Sequence, residues 1–417
     1  MERRTALVVG GGIIGLTCAH RLVQEGLAVT ILDPQAAMQP ASWGNAGVIA
    51  VDEVEPLASW ESMTKALRFL LSGDGAIRAP LSDFRTWLPF FMRMAKACGT
   101  RKFDAGRAAL AECMEGALPA WRTLLDEIGQ REMLIEAGHF VVWESKRSAE
   151  RGYKDCKAGP VGPVTVRDLT ADELHQLKQL TKDKVYGGVR FEGTAQISYP
   201  GALLDALKRS LSSAGAMFEQ EAAQNIVRAG SRNAEVTTTE GRAFTGDVVL
   251  IAAGIGSGPL LRQTGAVVPI IAERGYHVQS AKEELQWSMP PIFFEDRAVV
   301  VTGFSSALRA TSFVEFAHPD RPATQACWHR LERHIDELEL PFAKPRSRWM
   351  GARPTLPDYL PAVGRSAFAD NLYYAFGHQH LGLTMAAVTG ESVGDLVCGR
   401  EPAVDLAGFD IRRFSQG

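Results

Sequence analysis

Residues 5–33, TALVVGGGIIGLTCAHRLVQEGLAVTILD, decide the fold. The apolar run Ala6-Leu7-Val8-Val9 predicts a short buried strand. The glycines behind it predict a turn. Leu16, Ala19, Leu22 and Val23 then form one apolar stripe of a helix, and Gly26 stands where that helix should end. LAVTILD is apolar almost throughout, which suits a parallel strand covered on both faces better than a hairpin edge. Gly10, Gly12 and Gly15 have G-x-G-x-x-G spacing between strand and helix. The first allows a tight turn, the second lets a pyrophosphate approach the backbone, and the third lets helix and strand pack closely. Ile13 and Ile14 lie in the same turn, where a helix N-terminus offers free N–H donors to an anion. Asp33 ends the second strand, 23 residues after Gly10, where a carboxylate can accept from ribose hydroxyls and repel a 2′-phosphate. Dinucleotide binding is expected, but the fingerprint alone does not separate FAD from NAD.

Working outward, 417 residues suggest two or three domains, or one large domain with insertions. A hydrophobic fraction of 46% and a charged fraction of 22% exclude a disordered, collagen-like or disulfide-stapled chain. The formal net charge of -3 carries no nucleic-acid footprint. Cys18, Cys98, Cys113, Cys156, Cys327 and Cys398 are scattered without C-x-x-C spacing, so no zinc, iron–sulfur or other metal site is expected. This usage fits a reducing compartment. The expected location is cytoplasmic, with peripheral attachment at the inner face of a bacterial membrane left open.

Residues 38–50, MQPASWGNAGVIA, read as a glycine-rich loop, and about 57–133 as mostly helical. HFVVWES (139–145) reads as a strand. Thr170 with Glu173 forms a capping box, and Pro200-Gly201 opens an amphipathic helix that Gly215 ends. DVVLIAAGIGS (247–257) is a second passage from strand to glycine turn, and the C-terminal part ends in a strand, a glycine turn and a long helix. The expected architecture is an α/β, Rossmann-like nucleotide-binding domain from 1–90, 150–260 and 345–417. A strand-rich α+β substrate or cap domain, 91–149 and 261–344, is inserted into it.

The ordered set VVGGGIIG, SWGNAGVI (42–49), VLIAAGIGS (249–257), MGARPTLPDYLPAVG (350–364) and GHQHLGLTMA (377–386) resembles the D-amino-acid oxidase/glycine oxidase superfamily of FAD enzymes. Within it the chain looks most like bacterial D-amino acid dehydrogenases, and among those the D-hydroxyproline dehydrogenases. The resemblance covers essentially the whole chain. It implies noncovalent FAD, with Ser42, Asn45, Ala46 and Gly47 passing the flavin ring, and Ala253 and Gly254 near the dinucleotide. Ile226 or Val227 would give a backbone contact to the adenine, with a plain core strand as the competing reading. It implies that Gly377, His378, Gly382, Leu383 and Thr384 lie near the pyrimidine end of the ring, where a helix N-terminus stabilises reduced flavin. Thr384 read simply as an N-cap, and His378 as a structural histidine, are the plainer alternatives.

The resemblance also assigns Arg353, in G-x-R-P, to the substrate carboxylate. The planar guanidinium fork can donate two parallel bonds to that group. A salt bridge to an acid such as Asp358 is the alternative, and Arg346 or Arg348 could serve instead. Tyr276 is expected over the substrate and His380 beside it; His277 should face the other way. The implied reaction passes hydride from the α-carbon to flavin N5, and the resulting imine hydrolyses to a keto acid. Val48-Ile49-Ala50-Val51-Asp52-Glu53, and His380 where related enzymes have threonine, depart from the D-alanine-type pattern. They shift the expectation to cis-4-hydroxy-D-proline or D-proline. A quinone, an electron-transfer chain or an artificial compound would accept the electrons, with or without a partner subunit, and no nucleic acid is involved. The alternatives are an oxygen-using sarcosine or glycine oxidase, and a noncatalytic FAD-binding subunit, which would have no need of Arg353.

Overall fold

The computed structural model describes residues 3–34, 39–59, 75–99, 101–158, 162–230, 232–281 and 287–415, without the side chains of 101–103. The first body is built on a six-stranded sheet. Its order is Met217–Glu219, Ala28–Leu32, Thr5–Val9, Val248–Ile251, Leu372–Phe376 and Ala362–Arg365. The first five are mutually parallel and the last is an antiparallel edge. The central strands are buried on both faces, as their unbroken apolar sequences require. Helices Ile13–Gln24 and Gly382–Val397 cross closely over this sheet. A Cβ at Gly390 would come within 2.9 Å of the Thr17 carbonyl oxygen, so only glycine permits that approach. The Thr17 hydroxyl donates to the Ala386 carbonyl at 2.8 Å and pins the crossing.

The second body is a mixed sheet running Ser347–Thr355, Ile271–Ala281, Ala307–Ala317, Val299–Gly303, Ile292–Phe294, His139–Trp143, Gly187–Glu192 and Thr165–Asp168. Ile77–Arg78 adds to Ala307–Ala317. One face is covered by helix Gln325–Glu337, whose Cys327, Trp328, Leu331 and Ile335 enter a core with Tyr276, Val278 and Met350.

These ladders correct the expected domain boundaries. Strands 165–168, 187–192 and 347–355 fall in segments assigned to the nucleotide domain, yet their backbone groups pair in the second sheet. Conversely, helix Arg101–Glu127, assigned to the cap, packs its Leu110, Met114 and Trp121 into the core of the first body. The expected helical stretch 57–133 contains helices Phe84–Ala97 and Arg101–Glu127; its residues 60–74 and 100 lie outside the described ones. The capping box at Thr170 and the proline-started helix Pro200–Ser213 form as expected.

Candidate active site

The glycine turn lies at the carboxyl ends of the parallel strands, where such sheets hold ligands. Gly10 has φ +115°, and a Cβ there would lie 2.7 Å from the Ala252 carbonyl carbon. A Cβ at Gly15 would overlap the Gly10 carbonyl oxygen. Gly12 is different: an added Cβ would meet only the Ser42 hydroxyl, at 3.8 Å, and one at Gly254 would meet nothing within 4 Å. The turn is therefore sealed where strand and helix pack and open where a dinucleotide would lie, so its residues fit FAD. Asp33 accepts from the Gly11 N–H at 2.8 Å through one oxygen. Burial pushes its carboxyl up against that hydrogen bond. Ser42 accepts from the Ile13 N–H at 3.2 Å. Ile13 is buried and Ile14 half-buried at the start of the helix, and Ala253 directly precedes the open Gly254.

The loop of Ser42, Asn45, Ala46 and Gly47 is held by its own polar groups. Asn45 Oδ1 accepts from the Gly47 N–H at 2.7 Å, and the Ala46 carbonyl accepts from the Thr302 hydroxyl at 2.8 Å. Buried Arg309 donates to the Trp43 and Asn45 carbonyls at 3.0 and 2.6 Å and to Gln279 Oε1. Desolvation brings its guanidinium down to about 10. His277 hydrogen-bonds the Gly44 carbonyl at 3.1 Å and stacks on Trp349. His277 therefore faces this loop, on the sheet face that carries Arg353.

In the C-terminal segment, Gly377 has φ +82° and helix Gly382–Val397 begins right after the 3-10 turn Gln379–Leu381. His378 is buried, hydrogen-bonded to the Thr389 hydroxyl at 3.1 Å, and burial brings it down to about 3. The Leu383 carbonyl accepts from Trp121 Nε1 at 3.0 Å. Thr384 is not an N-cap: it lies inside the helix, and its hydroxyl accepts from the Ala50 N–H at 3.0 Å.

Four charged side chains meet on the site face. Arg353 donates to Glu273 at 3.2 Å and to the Phe313 carbonyl at 3.3 Å, and its guanidinium lies over Gly275. Glu273 also accepts from the Thr355 hydroxyl at 3.1 Å. His380 hydrogen-bonds Glu53. Burial pushes the Glu53 carboxyl up, but the His380 charge and hydrogen bond outweigh it and hold the group low. Burial pulls the His380 imidazole down, but Glu53 and the more distant Glu273 more than reverse this and raise it. Both shifts favour the ionic form of the pair. Arg353, His380 and Glu53 keep 22%, 23% and 34% of their side chains accessible, whereas Glu273 keeps 3%. The cluster thus pairs each basic group with a carboxylate, Glu273 buried behind Arg353 and Glu53 at least as open as His380. The expected alternative, a salt bridge from Arg353 to an acid, does form, with Glu273 in place of Asp358, which binds Arg413 at 2.5 Å. Arg346 and Arg348 pair with Asp336 and Glu332 at 2.7 Å.

One expectation is corrected. Tyr276 does not reach the site: it is fully buried on the opposite sheet face, against Trp328 and Phe313. Its hydroxyl donates to Glu315 at 2.5 Å and accepts from the Thr324 N–H at 3.1 Å. Burial and Glu315 push the phenol far up. Tyr276→Phe should therefore lower the melting temperature by a few degrees, about 1–3 kcal/mol for a buried carboxylate losing a donor, and leave KM unchanged. Calorimetry with steady-state kinetics checks both. Ile226 and Val227 have the surroundings of the competing reading, a plain strand. The Ile226 N–H donates to Gln263 Oε1 at 3.1 Å, Val227 is exposed, and both lie in a separate antiparallel sheet. The backbone that does border Asp33 is Glu219, whose carbonyl accepts from the Asp33 N–H at 3.0 Å. Glu53, Glu273 and Arg309 were missed as site residues. Glu53 alone had a signal, as the acid closing the unusual run after the SWGNAG loop.

A family model described as "FAD dependent oxidoreductase" matches residues 5–396. The chain is 30% identical over 424 residues to "D-amino-acid oxidase" of Bradyrhizobium diazoefficiens, covering 99% of each. It is 26% identical over 419 residues to "D-amino acid dehydrogenase" of Agrobacterium fabrum, covering 98% of this chain and 99% of that one. Among solved structures, glycine oxidase from Geobacillus kaustophilus superposes with a TM-score of 0.71 at 22% identity over 99% of both chains. L-proline dehydrogenase from P. horikoshii superposes with a TM-score of 0.71 at 17% identity over 100% of this chain and 99% of that one. The two superpositions show a shared fold.

Proposed function

The chain belongs to the FAD dependent oxidoreductase family, and from that premise we propose that it oxidises a small D-amino acid at its α-carbon, with cis-4-hydroxy-D-proline or D-proline as the favoured substrate. The observation that carries this reading is the pairing of Arg353 with Glu273 at 3.2 Å beside His380 on Glu53, both basic side chains partly exposed and close enough to feel each other's charge. Arg353 binds the carboxylate through its fork, and His380 donates to the ring hydroxyl. When bound, FAD would supply the two-electron acceptor for the hydride of the α-carbon, which the neutral amine would release. Arg353 fixes one end of the substrate, so the hand of the α-carbon decides whether its hydrogen or its side chain faces the reacting centre. A ring amine loses little rotor entropy on binding. A site that hydrogen-bonds a hydroxyl discriminates against its absence. Relatives named for D-amino acids, aligned over nearly the whole chain, support the D configuration. The electron acceptor in this reading is a quinone or another electron-transfer partner, with the protein held peripherally at the membrane. Among the described residues no helix is long and apolar enough to cross one.

Anaerobic stopped-flow mixing with the four 4-hydroxyproline stereoisomers and both prolines tests the substrate. The D isomers should bleach the flavin and the L isomers should do so much more slowly. Faster reduction by sarcosine, glycine or an L isomer overturns the choice. The raised His380 sets a second expectation. The imidazolium donates below its raised value, so affinity for the hydroxylated substrate should fall as pH rises through that value. His380→Asn should remove that dependence, as read from the pH profile of Kd for a nonreactive hydroxyproline analogue.

A further inference from the structure

The helix Phe84–Ala97 carries two stripes that the candidate site does not use. Leu81, just before it, is 82% exposed, and Phe84, Leu88 and Met92 follow at helical spacing with 46%, 43% and 60% exposure. These four run along one side of the helix. Beside them Arg85, Arg93 and Lys96 are exposed, and no acidic residue stands between Phe84 and Ala97. Asp83, at the helix start, is bound by Arg321 at 3.2 Å. Arg262 and exposed Val267 line a groove together with Arg85 and Arg93. A chain of net charge -3 thus concentrates cations around its apolar stripe. The opposite side is anchored: Phe90 and Met94 are buried against Ile271, Phe316 and Tyr359. Ile271 begins the strand that carries Glu273, and the Tyr359 phenol feels the Glu273 charge.

We propose that the Leu81–Lys96 surface docks on an anionic lipid bilayer, with Leu81, Phe84, Leu88 and Met92 entering the acyl boundary and Arg85, Arg93 and Lys96 meeting the headgroups. An exposed apolar stripe alone suits several partners. The all-basic flank selects this one, because a lipid interface takes up apolar side chains while its negative headgroups attract neighbouring cations. The helix is short, so it lies in the interface and does not cross it. Docking there would bring the membrane to the side of the protein nearest Glu273. This suits a lipid-soluble electron acceptor; the docking rests on the peripheral attachment in the functional reading above and gives it a surface, but it does not depend on the choice of amino acid substrate.

The test is cosedimentation of the FAD-loaded full chain with vesicles of phosphatidylcholine alone or mixed with phosphatidylglycerol. No substrate is present, so failure of the amino acid reading would leave the result intact. The chain should partition about tenfold or more in favour of the phosphatidylglycerol vesicles and come off at high salt. Leu88→Gln/Met92→Gln and Arg85→Glu/Arg93→Glu should each weaken binding by about tenfold or more. Melting temperature and flavin absorbance should not change, and the elution volume should stay that of the wild type. Absence of binding, equal binding to neutral vesicles, or variants that bind like the wild type would overturn the proposal. So would a wild-type assembly that the Leu88→Gln/Met92→Gln change dissolves, since the stripe would then be covered by a second copy of the chain.

Discussion

Arg353→Ala is expected to lower kcat/KM for the amino acid by about 30- to 1000-fold while FAD stays bound. Losing a charge-assisted, two-pronged contact to a carboxylate costs roughly 2–4 kcal/mol. The guanidinium is partly open, lies over Gly275, and is braced by Glu273 and by the Phe313 carbonyl. The same substitution strips buried Glu273 of its guanidinium and leaves it the Thr355 and Tyr359 hydroxyls, so part of the effect will appear as lost stability. Arg353→Lys separates the two. Lysine restores a positive charge to Glu273 but offers no planar fork. The lysine variant should melt close to the wild type and still show a strongly raised KM. Steady-state kinetics, flavin absorbance and a thermal melt of both variants decide the matter. Unchanged kinetics in the alanine variant would sink the clamp assignment.

Gly15→Ala and Gly12→Ala should both yield protein that loses FAD, for different reasons. At Gly15 the new methyl would overlap the backbone oxygen of Gly10, which no side-chain rotation can relieve. The first helix must lift from the first strand, at a cost of about 3 kcal/mol or more. At Gly12, where φ is −76°, alanine is conformationally acceptable, and its methyl enters open space beside the Ser42 hydroxyl. That variant should fold with the thermal stability of the apoprotein and bind FAD at least about tenfold more weakly. Differential scanning calorimetry of the apo forms, with fluorescence titration of FAD, distinguishes packing damage from loss of the cradle. Full FAD occupancy in Gly12→Ala would show that the dinucleotide does not cross that position.

The charged cluster is where reading by motif reached its limit. His380 was legible as a histidine in an unusual place, and Arg353 as an arginine held extended by Pro354. Their bracing acids were not. Glu53 lies 327 residues before His380, and Glu273 lies 80 before Arg353. No local spacing relates either pair: strand register brings Glu273 to Arg353, and the loop after Val48–Ile49 meets the 3-10 turn Gln379–Leu381 to bring Glu53 to His380. Antiparallel pairing sets Glu273 opposite Arg353 and His277 opposite Trp349, and so puts all four on one face. The same ladder sets Tyr276 opposite Met350, on the face that helix Gln325–Glu337 covers. Alternation along the strand predicted that Tyr276 and His277 face opposite ways. It could not say which face the helix would take.

The sequence by itself determined the first strand, turn, helix and second strand, because each is specified within a few residues by apolar periodicity and by glycines that tolerate backbone contact. It also determined the parallel strand ending at Ile251 and the long C-terminal helix of small residues. Tertiary structure alone decided the membership of the second sheet, where strands from 139–143, 165–168 and 187–192 join 271–281, 307–317 and 347–355. It alone decided that Arg309 would be buried beneath the Asn45 loop, and which side of Phe84–Ala97 would be left in water. Local pattern records whether a residue prefers burial or a turn. The partner that buries it is chosen by long-range pairing and by the layer that happens to pack above, and those act between segments far apart in the chain.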